Sequence, residues 1–79
     1  RKAIGLWEIF SSKWNVNVYR RMTMNTKIVA WLNDGQIVPV LQSKPTYGNM
    51  VWMEVEYETG KTGWIVVFLP NNGQWVKKY

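Results

Sequence analysis

Residues 52–65 constrain the fold of this chain more than any other stretch, because they follow the pattern of two paired β-strands. The first half alternates two sets of side chains, Met53, Val55 and Tyr57 on one parity and Trp52, Glu54 and Glu56 on the other. Residues 58–61 (Glu-Thr-Gly-Lys) form a polar turn, and the second half closes on Gly63 and Trp64. Alternation on both sides of a turn predicts an antiparallel hairpin.

The remainder of the chain also has β patterning. Ile28, Ala30 and Leu32 share one parity, which predicts that they point inward while Val29 and Trp31 point outward. Residues 33–35 (Asn-Asp-Gly) are a strong turn signal, since these residue types accept positive φ. Residues 37–41 make the next strand, where Pro39 has no N–H to donate and is expected at a sheet edge or bulge.

Short strands separated by turn signals every 8–12 residues predict a small sandwich or barrel. The chain has 79 residues, enough for one domain with a thin core. A partly open five-stranded barrel fits this length best, since it leaves few free strand edges. The predicted core comprises the inward apolar residues Ile28, Leu32, Ile37, Val40, Val55 and Ile65.

Several of these motifs together resemble the bacterial SH3 (SH3b) family. The pattern starts at Asn17-Val18, passes a polar loop into 28–32, reaches Gly35 and the strand 37–41, and ends on Trp52 and Gly60-Lys61-Thr62-Gly63-Trp64-Ile65. The resemblance covers about residues 16–69. It implies an all-β, SH3-like barrel that binds a ligand and is attached to a domain with its own activity. It also implies that Trp52 and Trp64, which stand at the family's own tryptophan positions, mainly build the fold.

We divide the chain into an N-terminal extension (1–15), the SH3b-like barrel (16–70) and a C-terminal turn with a basic and aromatic tail (71–79). Residues 1–13 fit a short helix or a leading strand packed on the barrel, and the pattern does not decide between them. An amphipathic membrane anchor is the less favoured alternative. The start at Arg1 suggests a piece or processed product of a larger protein.

The composition argues against catalysis. The chain has no His and no Cys, which excludes the usual zinc, haem and iron–sulfur sites and the usual base and nucleophile. Glu54, Glu56 and Glu58 share one strand parity and are expected to form a solvated face, whereas a glycosidase needs two acids across a cleft. We therefore expect no enzyme activity, no catalytic residues, no metal and no cofactor.

The net charge of +5 fits anionic partners such as teichoic acids, nucleic acid or acidic lipid head groups, and an ordinary charged surface fits it equally well. No apolar run approaches the ~18 residues that a membrane span needs. Through the family resemblance, the expected location is extracellular or at the cell envelope, as part of a larger protein.

The candidate ligand site is a shallow groove between loops 19–27 and 43–50. Arg20 and Arg21 stand where the family carries serine and glycine, and they lie next to Tyr19. Guanidinium groups beside aromatic rings suit recognition of carboxylates, phosphates or sugar acids, although two solvated arginines on a loop are the slightly favoured alternative. The aromatic candidates are Tyr19, Tyr47, Trp52 and Trp31; an outward Trp31 either meets a ligand or packs under the N-terminal segment.

Three functions follow from these features. The leading hypothesis is a non-catalytic module that recognises bacterial cell-wall peptide or glycan. The second is a protein–protein docking module of a larger assembly such as a phage or envelope machine, because interface cores are rich in Trp, Tyr, Met and Arg. Binding of single-stranded nucleic acid ranks last, since the acidic strand 54–58 interrupts any continuous basic path.

Overall fold

A computed structural model describes residues 2–11, 15–46, 48–68 and 76–79. These residues form antiparallel strands in one sheet, whose spatial order is β3-β2-β6-β5-β4-β1-β7. In chain order the strands are β1 (Gly5–Ile9), β2 (Val16–Tyr19), β3 (Ile28–Leu32), β4 (Ile37–Pro45), β5 (Met50–Glu58), β6 (Lys61–Phe68) and β7 (Val76–Lys78). The all-β class is confirmed.

The predicted hairpin is formed by β5 and β6. Its register pairs Met50 with Phe68 at one end and Glu58 with Lys61 at the other. Gly60 takes a φ of 78° in the turn, and its N–H donates to the carboxylate of Glu56 at 2.8 Å. The turn residue therefore supplies the positive φ, and a strand residue satisfies the backbone donor that the turn exposes.

The sheet curls around a single core. Strand β3 lies at one end of the order and β4 lies four positions further along, a separation of about 19 Å in a flat sheet. The connection between them is a tight turn, in which the N–H of Gln36 donates to the carbonyl of Asn33 at 3.1 Å. So short a link requires strong curvature. The buried core has members on every strand: Ile9, Val16, Val18, Leu32, Val38, Val40, Met53, Val55, Ile65, Val67 and Val76.

The described strands give one curled sheet with β3 and β7 at its two ends, so the partly open five-stranded barrel stays a finer prediction.

The N-terminal segment is a strand rather than a helix, since β1 lies between β4 and β7. The β3–β4 turn fixes its end: the N–H of Ile9 donates to Gln36 at 2.7 Å, and Gly35, with a φ of 85°, donates back to Ile9 at 2.8 Å.

The core prediction was correct for Leu32, Val40, Val55 and Ile65, all of which are buried. It was wrong for Ile28, which is 37% exposed, and for Ile37, which is 41% exposed.

The two errors have different causes, a bulge in β3 and the strand parity of β4. Tyr19 pairs with Ile28 whereas Val18 pairs with Ala30, so one extra residue, Val29, lies in β3 between the two pairs. This β-bulge reverses the parity and turns Ile28 outward. In β4 the inward parity belongs to Val38 and Val40.

Candidate ligand-binding site

The site lies on the outer face of the sheet, opposite the core. On β5 and β6, Met53 pairs with Ile65 on the core side, whereas Trp52 pairs with Val66 on the outer side. Despite this outward position Trp52 is only 3% exposed. The ring of Tyr19 meets it edge to face, with ring centroids 6.0 Å apart and an interplanar angle of 74°. Other parts of the chain therefore cover the indole ring of Trp52.

A cavity of about 230 Å³ opens over Trp52. Its walls come from loop 20–27 on one side and from the β4–β5 connection on the other, which is where the sequence predicts a groove. The lining residues are Met22, Thr23, Met24, Thr46, Met50 and Trp52. None of the six is charged, so the cavity offers thioethers, an indole and two hydroxyl groups.

Local hydrogen bonds hold both walls. In the first wall, the N–H of Arg20 donates to the carbonyl of Lys27 at 2.9 Å and closes the base of the loop, and Thr23 donates to Arg21 at 2.8 Å. In the second wall, Thr46 donates to the carbonyl of Met50 through both its backbone N–H, at 2.9 Å, and its hydroxyl, at 3.2 Å. The cleft is thus built from closed loops at the end of the β5–β6 hairpin.

The structure brings together part of the predicted site. Trp52 lines the cavity and Tyr19 contacts Trp52. Arg20 and Arg21 are exposed and directly precede Met22 in the cavity wall, but they do not line the cavity themselves. Tyr47 lies outside the described residues, as do Trp14 and Trp75.

Trp31 stands apart from this cleft. It is 60% exposed and pairs with Asn17, on a strand that lies three positions from β5 in the sheet. Its predicted outward direction is confirmed. Its distance from Trp52 along the sheet separates it from the cavity.

Sequence reasoning missed the methionines. Met22, Met24 and Met50 form half of the cavity lining, yet none of the three is among the predicted site residues. The available signal was the presence of methionine in both loops, since this flexible and polarizable side chain often lines adaptable binding surfaces.

The arginines beside the cleft have no acidic partner among the described residues: neither Arg20 nor Arg21 makes an ion pair there.

The prediction that Glu54 lies on a solvated face was wrong: Glu54 is 6% exposed and accepts a hydrogen bond from Nε2 of Gln42 at 2.8 Å. Its cross-strand neighbour on this face is the half-buried Trp64.

Two further observations concern the described ranges. Within them, no group of three or more His, Cys, Asp or Glu side chains is placed to hold a metal ion. No helix in these ranges is long and apolar enough to cross a bilayer.

Comparison with known proteins gives no relative: no protein-family model, no curated protein and no solved structure matches the chain. The SH3b resemblance therefore remains a prediction that depends on the motifs in residues 16–69.

Proposed function

We propose that the chain is a non-catalytic binding module of the SH3b type, with an SH3-like barrel as its fold. In this proposal it recognises bacterial cell-wall peptide or glycan at the cleft above Trp52 and directs an attached lytic or surface domain to the wall. The observation that carries the proposal is the uncharged cavity beside two exposed arginines that have no acidic partner among the described residues.

The size and lining of the cavity favour the peptide over the glycan. Pockets for drug-sized ligands span about 300–1,000 Å³, so about 230 Å³ accommodates one side chain or one small group of a longer ligand. Sugar recognition by stacking needs an open aromatic face, whereas Trp52 is almost fully covered. The methionine walls can adapt to an apolar side chain.

The arginines supply the second part of the recognition. Arg20 and Arg21 are exposed at the start of the loop that carries Met22 and Met24. A guanidinium group pairs with a carboxylate through two parallel hydrogen bonds, which adds direction as well as attraction. A peptide with an apolar side chain in the cavity and a carboxylate at the rim would use both features.

A pull-down on purified cell walls tests this proposal. The double variant Arg20→Ala, Arg21→Ala is expected to stay folded, to lose most wall binding and to retain binding that depends less on salt. The matched control is Lys2→Ala, Lys61→Ala, which removes the same charge from two exposed positions outside the cavity lining. Equal binding by the two double variants would contradict a specific role for the arginines.

Protein–protein docking within a larger assembly is the second candidate, and exposed apolar residues on β3 favour it. Trp31 and Ile28 both point outward from this strand and remain exposed. Exposed aromatic side chains of this kind are common anchors of interfaces. If the arginine double variant binds walls normally while Trp31→Ala releases a co-purifying partner, the docking function replaces the wall-binding function.

A further inference from the structure

The outer face of β1 carries a second apolar surface, near the end of the strand order opposite to β3. Strand register defines its rows. Leu6 pairs with Pro39 on β4, and on its other side its carbonyl accepts the N–H of Tyr79 at 2.9 Å. In the next row, Glu8 lies between Ile37 and Lys77.

No described residue covers this surface, which we call the β1 face. Leu6 is 44% exposed although β1 has a paired strand on both sides. The other large exposed hydrophobic residues of the β1 face are Ile4, Phe10, Ile37 and Tyr79. A solvated sheet face normally carries polar side chains, whereas the outward parity of β1 and its flanking residues carries Ile4, Leu6 and Phe10 and is interrupted only by Glu8.

Charged groups on the β1 face select the partner. On the paired strands of this face the acid Glu8 lies directly beside the base Lys77, and the ammonium group of Lys77 also lies 4.8 Å from the centre of the Phe10 ring. Since the acid and the base occupy the same row on neighbouring strands, a second copy turned by 180° can place its Lys77 opposite Glu8 and its Glu8 opposite Lys77.

We propose that the β1 face is the contact surface of a symmetric homodimer, in which β1 of each copy lies over β7 of the other. The two-fold axis then runs parallel to the strands, between β1 and β7. This operation places Leu6 over Tyr79 of the second copy and Glu8 over Lys77 of the second copy. Two sheet faces stacked about 10 Å apart with nearly aligned strands are a standard packing mode, and the contact is isologous.

The charges decide where the two-fold axis lies. An axis parallel to the strands but centred on β1 would bring the two copies of Glu8 together, and like charges at an interface are unfavourable. Centring the axis between β1 and β7 exchanges that repulsion for two symmetric Glu8–Lys77 pairs and keeps Leu6 and Tyr79 in contact.

Sedimentation equilibrium on the full chain over a range of concentrations tests the dimer. The wild-type chain is expected to sediment as a dimer at about 100 µM, and Leu6→Glu is expected to weaken association at least about tenfold. Ile28→Glu is the matched control, because Ile28 is similarly exposed on a strand at the other end of the sheet. A monomeric wild-type chain at this concentration, or equal losses in the two variants, would overturn the proposal.

A charge exchange tests the geometry at two positions that do not belong to the core. Glu8→Lys and Lys77→Glu should each weaken the dimer about tenfold or more, and the double variant should return to within a few-fold of wild type. Circular dichroism of each variant confirms that it is folded. A double variant that associates no better than the single variants would show that Glu8 does not face Lys77 of the second copy, and the proposed dimer would be wrong.

Discussion

The tryptophans Trp52 and Trp31 have the same chemistry and opposite surroundings. Both point outward from the sheet, yet Trp52 is buried beneath loop 20–27 and the ring of Tyr19, whereas most of Trp31 faces solvent. A buried indole removes on the order of 150–250 Å² from water. Only the first of these rings therefore contributes strongly to the stability of the monomer.

The first prediction compares the two truncations. Trp52→Ala is expected to lower the free energy of unfolding by about 3–5 kcal/mol, whereas Trp31→Ala should change it by less than about 1 kcal/mol. Trp64, expected from the family resemblance to be mainly structural, is half-buried on the outer face, so Trp64→Ala should fall between the two. Urea unfolding followed by circular dichroism measures all three, and similar losses for Trp52 and Trp31 would refute the assigned environments.

Gly63 permits a close contact between β6 and β2. A Cβ atom at this position would lie 2.5 Å from Cγ1 of Val18, 3.0 Å from the carbonyl oxygen of Tyr19 and 3.2 Å from Cγ2 of Val29. The valine side chains could shift slightly, but the Tyr19 oxygen belongs to the backbone of β2. The absence of a side chain at Gly63 therefore lets the backbones of β2 and β6 approach closely.

We predict that Gly63→Ala destabilises the chain by about 1–3 kcal/mol, because the new methyl group forces β2 and β6 apart. Thr62→Ala is the control on the adjacent exposed position and should lie within about 0.5 kcal/mol of wild type. Both values come from urea unfolding curves. If Gly63→Ala is as stable as the control, the close contact between these strands is not present in solution.

At the scale of elements, the β3–β4 turn also holds the end of β1. The N–H of the buried Ser11 donates to Oδ1 of Asp34 at 2.9 Å, next to the two backbone hydrogen bonds between Ile9 and the turn. A single turn therefore reverses the chain and fixes the segment that follows β1, which ties the N-terminal strand to the rest of the sheet.

Removing this acceptor should loosen the N-terminal strand. Asp34→Ala is expected to cost about 1–3 kcal/mol, because the buried N–H of Ser11 loses its acceptor. Asp34→Asn keeps an acceptor oxygen and should retain most of the stability. Hydrogen exchange at Ser11 gives the local measurement: protection lost in the alanine variant and kept in the asparagine variant supports the contact, and unchanged protection in both contradicts it.

The strands themselves were largely predictable, whereas their register was not. Alternation located the β5–β6 hairpin, and the turn signal at 33–35 was correct because Gly35 adopts the positive φ that such a turn requires. The bulge at Val29 has no local sequence signal, because the extra residue is set by which β2 residue each β3 residue pairs with. The resulting shift in β2–β3 pairing turns Ile28 outward.

At the scale of the whole molecule, the sheet has one buried side and an outer side with two separate surfaces. The inner side forms the core. On the outer side, loop 20–27 covers Trp52 and leaves the methionine-lined cavity, whereas nothing in the described chain covers Leu6 on the β1 face. The two surfaces lie on different strands, so ligand binding and self-association can be tested independently.

The place of the cleft could be predicted from the sequence, and its lining could not. Two long loops flanking the hairpin indicated a groove, and Trp52 was among the predicted residues. Which side chains of a loop turn toward the sheet depends on how the loop closes, and here the Arg20–Lys27 and Thr23–Arg21 hydrogen bonds hold the loop whose Met22 and Met24 line the cavity. No periodicity encodes this arrangement.

The methionines provide the most direct test of the proposed binding site, because the chain contains four and the structure divides them three to one. Met22, Met24 and Met50 line the cavity, whereas Met53 is buried in the core on the opposite face. In protein labelled with ¹³C at the methionine methyl groups, added soluble cell-wall peptide fragments should shift the three cavity signals and leave the Met53 signal in place. Binding of the fragments with no change in the three cavity signals would contradict the account.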